Sequence, residues 1–340
     1  MAHRYLILIP RGSRNELAIG AIAARTALTN HSTVGSVHVL TNQSGLSLQI
    51  PAGLVIGSLF HRHGVGPALS RIEAPDAAAI GQDVVGTLAG RYWGSYVALW
   101  IGDGRTSILR DPSGSTPCYY GRCPHAIGFA SDAELLVEAG IVEPTIDWGG
   151  VTTTLYARDL PLSETGLEGV TELLAGRIAT VVEDEVATRP FWSPWDFAAH
   201  DLTISPEKQA ERLGRIVHNC TRSWGATHKR AVLAVSGGLD SSIVATCLKG
   251  ALDLDCFTIS TVEPRGNEEP FARALCDGLG FDLTARTYQL ADADIDVSTF
   301  AHLPRPGGRT HGLAYDAPLL RLMEERGADA FYTGSGGDNV

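Results

Sequence analysis

The sequence predicts two domains of different class: a sheet-dominated α+β domain, then an α/β domain with a doubly wound parallel sheet. Three observations carry this. Up to about residue 190, short apolar runs are divided by Gly, Pro and Asn turns, the rhythm of antiparallel strands. From residue 206 the apolar period becomes helical, and strand-like and helix-like segments then alternate. The length of 340 residues suits two domains of roughly 100–200 residues each.

Each element has its own signal. The run Tyr5-Leu6-Ile7-Leu8-Ile9 predicts a buried first strand; it is too short for a signal-peptide core, and Pro10-Arg11-Gly12 breaks it. Residues 18–28 predict a helix, and strands are expected over 36–40, 46–50, 54–59, 95–101, 106–110 and 126–130. Gly102-Asp103-Gly104 is the hairpin turn between two of these. The segments 192–196 and 201–205 read as a linker, placing the domains at 1–190 and 206–340 with 191–205 between them. The second domain opens with a helix over 206–224, whose Ala210, Leu213, Ile216 and Val217 share one face. There follow a strand over 231–235, a helix over 241–249 stopped by Gly250, and a strand over 254–260. Next come a helix over 270–277 with Gly278 and Gly280 beyond it, and a strand over 283–289. A helix over 316–326, capped by Asp316 and stopped by Gly327, leads to a last strand over 330–332. Such a sheet binds ligands at the carboxyl ends of its strands.

Composition narrows the function classes. The 44% hydrophobic and 19% charged residues are those of a soluble globular protein. No apolar run approaches the ~20 residues that span a bilayer, so a cytoplasmic chain with no membrane partner is expected. The net charge of −11 argues against a nucleic-acid partner, which needs a basic footprint. Six cysteines form no CxxC pair, and no His cluster stands at zinc spacing. Cys247 and Cys256 are expected as buried small hydrophobes, Cys118 and Cys123 as ordinary reduced thiols, and His61 and His63 as surface residues.

The chemistry is concentrated in Val235-Ser236-Gly237-Gly238-Leu239-Asp240-Ser241-Ser242, between an apolar strand and a helix. The glycines let the backbone curl and approach an anion without a Cβ in the way. Serine hydroxyls add donors, and the helix N-terminus adds partial positive charge, which makes a pyrophosphate cradle. It is not a Walker loop, because the Walker lysine is missing. Asp240, an acid where an anion should bind, makes sense as a Mg²⁺ ligand. The bland alternative is a glycine-rich turn capped by Ser or Asp, which the full SGGxDSS string disfavours. A second acid is expected on a neighbouring strand end, and Thr333-Gly334-Ser335-Gly336-Gly337-Asp338 supplies it.

At these residues the chain resembles the asparagine synthetase family. SGGLDSS at 236–242 is similar to its ATP-pyrophosphatase loop and TGSGGD at 333–338 to its second phosphate and metal loop. In the first half Gly94-Ser95-Tyr96-Val97-Ala98, Arg110-Asp111-Pro112-Ser113-Gly114, Pro117-Cys118-Tyr119-Tyr120 and Phe129-Ala130-Ser131-Asp132 run in the order of its class II glutaminase-like domain. The resemblance implies a glutaminase-like sandwich before an ATP-pyrophosphatase domain. It implies ATP and Mg²⁺ as cofactors, with Asp240 and Asp338 as catalytic metal ligands. Ser236, Gly237, Gly238, Asp240, Ser241 and Ser242 would hold pyrophosphate, Val235, Ile259, Thr333 and Gly334 would line the nucleotide, and Leu239 would belong to the cofactor-binding residues. Glu268 and Glu269 lie near an acidic position of the family, with too loose a match to assign a role.

A glutaminase of this class needs a cysteine as its first mature residue. Here Met1 precedes Ala2 and the first cysteine is Cys118, so glutamine is not expected to supply ammonia, and the first domain is expected to survive as a scaffold. Two branches of the family close a ring on the substrate's own nitrogen: β-lactam synthetases and lasso-peptide cyclases. The DPSG…PCYY wording and the GGDN ending resemble the cyclases more. In that chemistry a core-peptide carboxylate attacks the α-phosphorus of ATP, and the peptide's N-terminal amine then expels AMP to give a macrolactam. The substrate would be a peptide or a small carboxylate and amine, with a leader peptidase and a precursor-recognition protein as further partners. A β-lactam synthetase, an asparagine synthetase using free ammonia and a non-catalytic nucleotide-binding assembly protein stay open. A tRNA-modifying enzyme is disfavoured by the acidic balance. The chain stops two residues after Asp338, so a truncated synthetase domain is expected.

Overall fold

Both faces of the first strand are buried, and that dictates the layers of the first half. In β1 (Tyr5–Pro10), Tyr5 and Ile7 point into one core with Val39, Leu54, Val97 and Phe129. Leu6 and Leu8 point into another, with Ile22, Leu135 and Leu136. A strand with both faces covered reads as an unbroken apolar run instead of alternating. The computed structural model describes residues 3–12, 17–43, 47–157, 160–182, 184–198, 204–261, 263–294, 296, 302–307 and 312–336.

After β1 come α1 (Ile19–Thr26), β2 (Asn30–Val34), β3 (Val37–Thr41), β4 (Ser47–Ile50) and β5 (Gly53–His61). Next are α2 (Ala74–Gln82), α3 (Val84–Arg91), β6 (Tyr92–Gly102), β7 (Arg105–Arg110), β8 (Tyr119–Arg122) and β9 (Ala126–Ala130). Then come α4 (Ala133–Glu138), α5 (Trp148–Tyr156), β10 (Thr171–Glu172), β11 (Arg177–Val182), β12 (Glu185–Pro190) and the single turn α6 (Trp195–Ala198). The strands form two six-stranded antiparallel sheets, ordered β10-β8-β9-β1-β3-β2 and β12-β11-β7-β6-β5-β4. The sheets share one core; α1 and α4 cover the outer face of the first, and Ile80 of α2 and Leu88 of α3 cover that of the second. This is the expected sandwich. Asp103 and Gly104, both with positive φ, make the two-residue turn between β6 and β7, where Gly102 pairs with Arg105.

The expected strands are present, β9 with the expected ends and the others with ends moved by a residue or more; the longest, β6, starts at Tyr92 instead of residue 95. Strands β2, β8, β10, β11 and β12 have no counterpart among those expected. Of these, β2 (NHSTV) and β12 (EVATRP) are largely polar or exposed and carry little apolar alternation. Helices α2 to α5, each of nine residues or fewer, have no expected counterpart either. In the linker segment, residues 199–203 lie outside the described residues.

The second half contains α7 (Pro206–Gly225), β13 (Arg230–Ala234), α8 (Leu239–Leu248), β14 (Asp253–Ser260), α9 (Glu269–Leu279), β15 (Leu283–Thr287), α10 (Leu313–Arg326) and β16 (Ala330–Tyr332). Its sheet is parallel, in the order β15-β14-β13-β16, with Leu233 paired to Cys256 and to Tyr332. Leu233, Cys256, Ala245 of α8 and Cys276 of α9 pack one face; Val232, Phe257, Ile259 and Leu322 of α10 pack the other. This is the doubly wound arrangement expected. Every element of this half but β16 has an end moved by one to three residues, and two of these moves change a residue's part. Helix α9 runs through Gly278 and closes at Gly280, which adopts the left-handed cap. Helix α10 begins at Leu313 with Gly312 as its cap, so Asp316 lies in its first turn and does not cap it. Along α7 the shared apolar face is open, with Leu213 56% and Ile216 49% exposed.

The described residues of 1–62, 69–201 and 300–307 form one compact unit, and those of 63–68, 202–299 and 308–340 a second. All six cysteines are free; Cys118, Cys256 and Cys276 are buried, while Cys247 is half-buried. Burial pushes the Cys118 thiol up to about 11, as suits an inert core residue. No helix among the described residues is long and apolar enough to cross a membrane.

Candidate active site

Strand β13 ends at the carboxyl edge of the parallel sheet, and its last anchor is the Val235 N–H, which donates to the Phe257 carbonyl at 2.8 Å. The chain then curls on its own serines. The Ser236 N–H donates to Ser241 Oγ at 3.3 Å, the two hydroxyls lie 3.2 Å apart, and the Gly238 N–H donates to Ser236 Oγ at 3.1 Å. Gly238 caps α8, whose first internal bond is the Ser242 N–H to the Gly238 carbonyl at 3.2 Å. The amides of Leu239, Asp240 and Ser241 precede that bond, so the helix itself cannot satisfy them. They are the donors an anion needs, at the positive end of the helix dipole.

Two glycines allow this packing. Gly237 has φ +79°, and a Cβ there would stand 2.5 Å from the Phe271 carbonyl carbon on α9. Gly334 follows β16, and its Cβ would meet the Ser241 nitrogen at 2.5 Å. The loop after β16 therefore crosses directly over the first turn of α8, which brings residues about 95 positions apart in sequence into contact.

Between these loops lies a cavity of about 590 Å³, within the range of about 300–1,000 Å³ that holds small ligands and cofactors. Of the residues expected from the sequence, Val235, Ser236, Gly238, Leu239, Asp240, Ser241, Ile259, Thr333 and Gly334 line it. Gly237 and Ser242 do not line it. Gly237 packs on α9, and the Ser242 hydroxyl donates to the Gly238 carbonyl at 2.6 Å, so it is spent on the helix cap instead of a ligand. Asp338 lies outside the described residues.

Glu268, Tyr315, Asp316, Phe257 and Phe331 complete the walls. Glu268 precedes α9, where the sequence carried only a loose signal; Asp316 was legible only as a helix cap. Tyr315 and Phe331 carry no local signal, because only the packing of α10 and β16 on the sheet brings them here. Burial raises the Tyr315 phenol, and the nearby charge of Glu268 raises it further. The charged residues among the described lining are acids only: Asp240, Glu268 and Asp316. Phosphates would thus be held here by amides, hydroxyls and a cation. The Asp240 carboxylate forms no ion pair among the described residues and stands beside those amides, so it is free to hold a Mg²⁺ ion that would offset phosphate charge. No group of three or more His, Cys, Asp or Glu among the described residues makes a metal site by itself.

Residues 211–340 match the family model of asparagine synthase, and residues 77–192 that of a glutamine amidotransferase domain. The chain is an asparagine-synthetase-like ligase. It is an ATP-dependent former of C–N bonds, and the asparagine-synthase match spans both the SGGLDSS turn and the loop after β16. The glutaminase-like domain with antiparallel sheets precedes the parallel-sheet domain in this ligase.

No curated protein matches the chain. Similar solved structures include glutamine phosphoribosylpyrophosphate amidotransferase from B. subtilis complexed with ADP and GMP. It is 11% identical, with 98% of this chain and 90% of that chain covered and a TM-score of 0.33. Another is the allosteric regulatory enzyme of purine biosynthesis, 10% identical over 97% of this chain and 89% of that chain, with a TM-score of 0.34. The NH3-dependent NAD synthetase from Campylobacter jejuni, in complex with nitrate, is 22% identical over 36% of this chain and 50% of that chain, with a TM-score of 0.23. Likenesses this distant say nothing about the ligase's substrate.

Proposed function

We propose that the ligase adenylates a side-chain carboxylate of a core peptide and joins it to the peptide's own N-terminal amine, giving a lasso-peptide macrolactam. The observation that carries the reading is the cavity at the carboxyl edge of the sheet, where an anion-gripping turn and the loop after β16 meet. ATP and Mg²⁺, when bound, supply the activating phosphorus and neutralise the departing pyrophosphate. The chain's residues do the rest. The Leu239, Asp240 and Ser241 amides and the Ser236 hydroxyl take up charge growing on the leaving group, a preorganised electrostatic contribution. Asp240, with Asp338, would hold the magnesium, while Val235, Ile259, Thr333 and Gly334 flank the nucleotide. In this reading residues 206–340 carry the chemistry and residues 1–190 serve as a scaffold. Consistent with that role, Cys118 is fully buried and the charges of the Arg110-Asp111 motif are engaged in internal bonds. The DPSG…PCYY and GGDN wording favours a peptide over a small substrate. A leader peptidase and a precursor-recognition protein would then be partners.

The test is ATP–pyrophosphate exchange with synthetic core peptides. Peptides with Asp or Glu at the ring-closing position should support exchange and yield a product one water lighter, whereas their Asn and Gln counterparts should not. Exchange driven only by aspartate with ammonium, or only by a small β-amino acid, would overturn the peptide reading in favour of an asparagine or β-lactam synthetase.

A further inference from the structure

The parallel-sheet unit holds a second cavity, of about 370 Å³, on the other flank of α10. Phe257 belongs to both cavities, but α10 divides them: Tyr315, Asp316 and Leu319 face the first, and Pro318, Arg321, Leu322 and Glu325 face the second. Its floor is apolar, made by the buried Phe257, Pro318 and Leu322. Its walls are polar, made by Thr284 and Thr287 of β15 with Gln289 beyond it.

The charges decide what fits. Four charged side chains line the cavity, and two of them cancel: Arg321 binds Asp292 at 2.9 Å. The other two are Arg286 on β15 and Glu325 on α10. Neither forms an ion pair among the described residues, with each other or with any other group, and the Arg286 guanidinium donates only to the carbonyl of its neighbour Ala285 at 3.3 Å. A solvent-exposed cation and a solvent-exposed anion, neither in an ion pair among the described residues, thus line one small cavity over an apolar floor. A carboxylate satisfies the first through charge-assisted hydrogen bonds, and an ammonium satisfies the second.

We propose that this cavity binds a free α-amino acid with an apolar side chain, its carboxylate on Arg286, its ammonium on Glu325 and its side chain over Phe257 and Leu322. The site is separate from the nucleotide cavity and does not rest on the reading of that cavity. At the lower end of the ~300–1,000 Å³ typical of ligand pockets, its size suits such a molecule and not a folded partner.

Isothermal titration of the full chain with L-leucine, L-phenylalanine, N-acetyl-L-leucine and L-leucinamide tests this. Leucine or phenylalanine should bind, and either capped analogue should bind at least tenfold more weakly, because each removes one of the two charges. Arg286→Gln and Glu325→Gln should each weaken leucine binding at least tenfold with unchanged circular dichroism. Saturating ATP should not displace leucine. Absence of binding at millimolar concentration, equal binding of the capped forms, or displacement by ATP would each overturn the proposal. If peptide-driven exchange fails while leucine still binds, the function proposed for the first cavity is lost and this site stands.

Discussion

The DPSG motif of the first unit and the SGGLDSS turn of the second both carry a charge next to serine and glycine at a strand end, yet they spend it in opposite ways. Arg110 is buried and its guanidinium makes four internal hydrogen bonds. Its guanidinium donates to the Thr116 carbonyl at 2.9 Å, to Glu172 and the Leu173 carbonyl at 2.7 Å each, and to the Gly114 carbonyl at 2.5 Å. Asp111, beside it, accepts from the Tyr96 and Ser113 amides at 3.0 and 2.7 Å. In the second turn, Asp240 makes no ion pair among the described residues, and three first-turn amides lie beyond the reach of the helix's own bonds. Buried polar groups must be paired to be tolerated, so the first motif is architecture. A polar group left open on a cavity wall is available to a ligand, which is the ground for proposing that the second serves chemistry.

That contrast can be broken most sharply at Arg110. Arg110→Ala leaves three carbonyls without their donor and takes one of two arginine partners from Glu172, which keeps Arg305 at 2.6 Å, so the loss should approach but not exceed the about 3–5 kcal/mol of breaking a buried pair outright. Chemical denaturation should show that loss, with the exchange rate per folded molecule unchanged; a large loss of exchange in the folded variant would erase the distinction. Asp240→Ala should do the reverse. Exchange should drop by about 10²–10³-fold, the usual scale for one group of a preorganised charge site, with unfolding moved by no more than about 0.5 kcal/mol.

Gly237→Ala probes the packing that shapes the turn. A Cβ at positive φ and 2.5 Å from Phe271 should destabilise the second unit by about 1–3 kcal/mol and weaken nucleotide binding, measured by denaturation and by titration. Asp111 sharpens the comparison through pH. Burial raises its carboxyl above 3.8 in the folded chain, against the opposing pull of the Ser113 and Tyr96 hydrogen bonds. The folded state therefore takes up this proton first, and stability gains from the group as pH falls from the raised value to 3.8, then levels off. Asp111→Asn should remove that gain, seen as a wild-type-minus-variant difference that grows across that window. The smallest effect should come from Ser242→Ala, which loses only an exposed cap bond: about 0.5–1.5 kcal/mol of stability and no more than a few-fold change in exchange. Ser236→Ala should cost exchange more.

Much of the ligase could be read from its chain because much of it is local. Strand–turn–helix units, the doubly buried β1 and the SGGLDSS turn announce themselves in a few consecutive residues. What escaped had weak local signals: the polar β2 and β12, the short helices α2 to α5, and the cavity walls Tyr315 and Phe331. Ser242 and Gly237 show a different limit. Their residue types suit an anion site, but hydroxyl direction and backbone approach are set by neighbours and not by type.

The two-domain order, the classes of sheet and the glycine–serine turn follow from the chain alone, since period, turn chemistry and dipoles act over a few residues. Only tertiary structure decided which polar groups remain open. It set Gly334 across the first turn of α8, spent Ser242 on a cap, moved Asp316 from helix cap to cavity wall and split the flanks of α10 between two cavities. Those outcomes depend on which distant segments pack together, and packing is settled by the whole core at once.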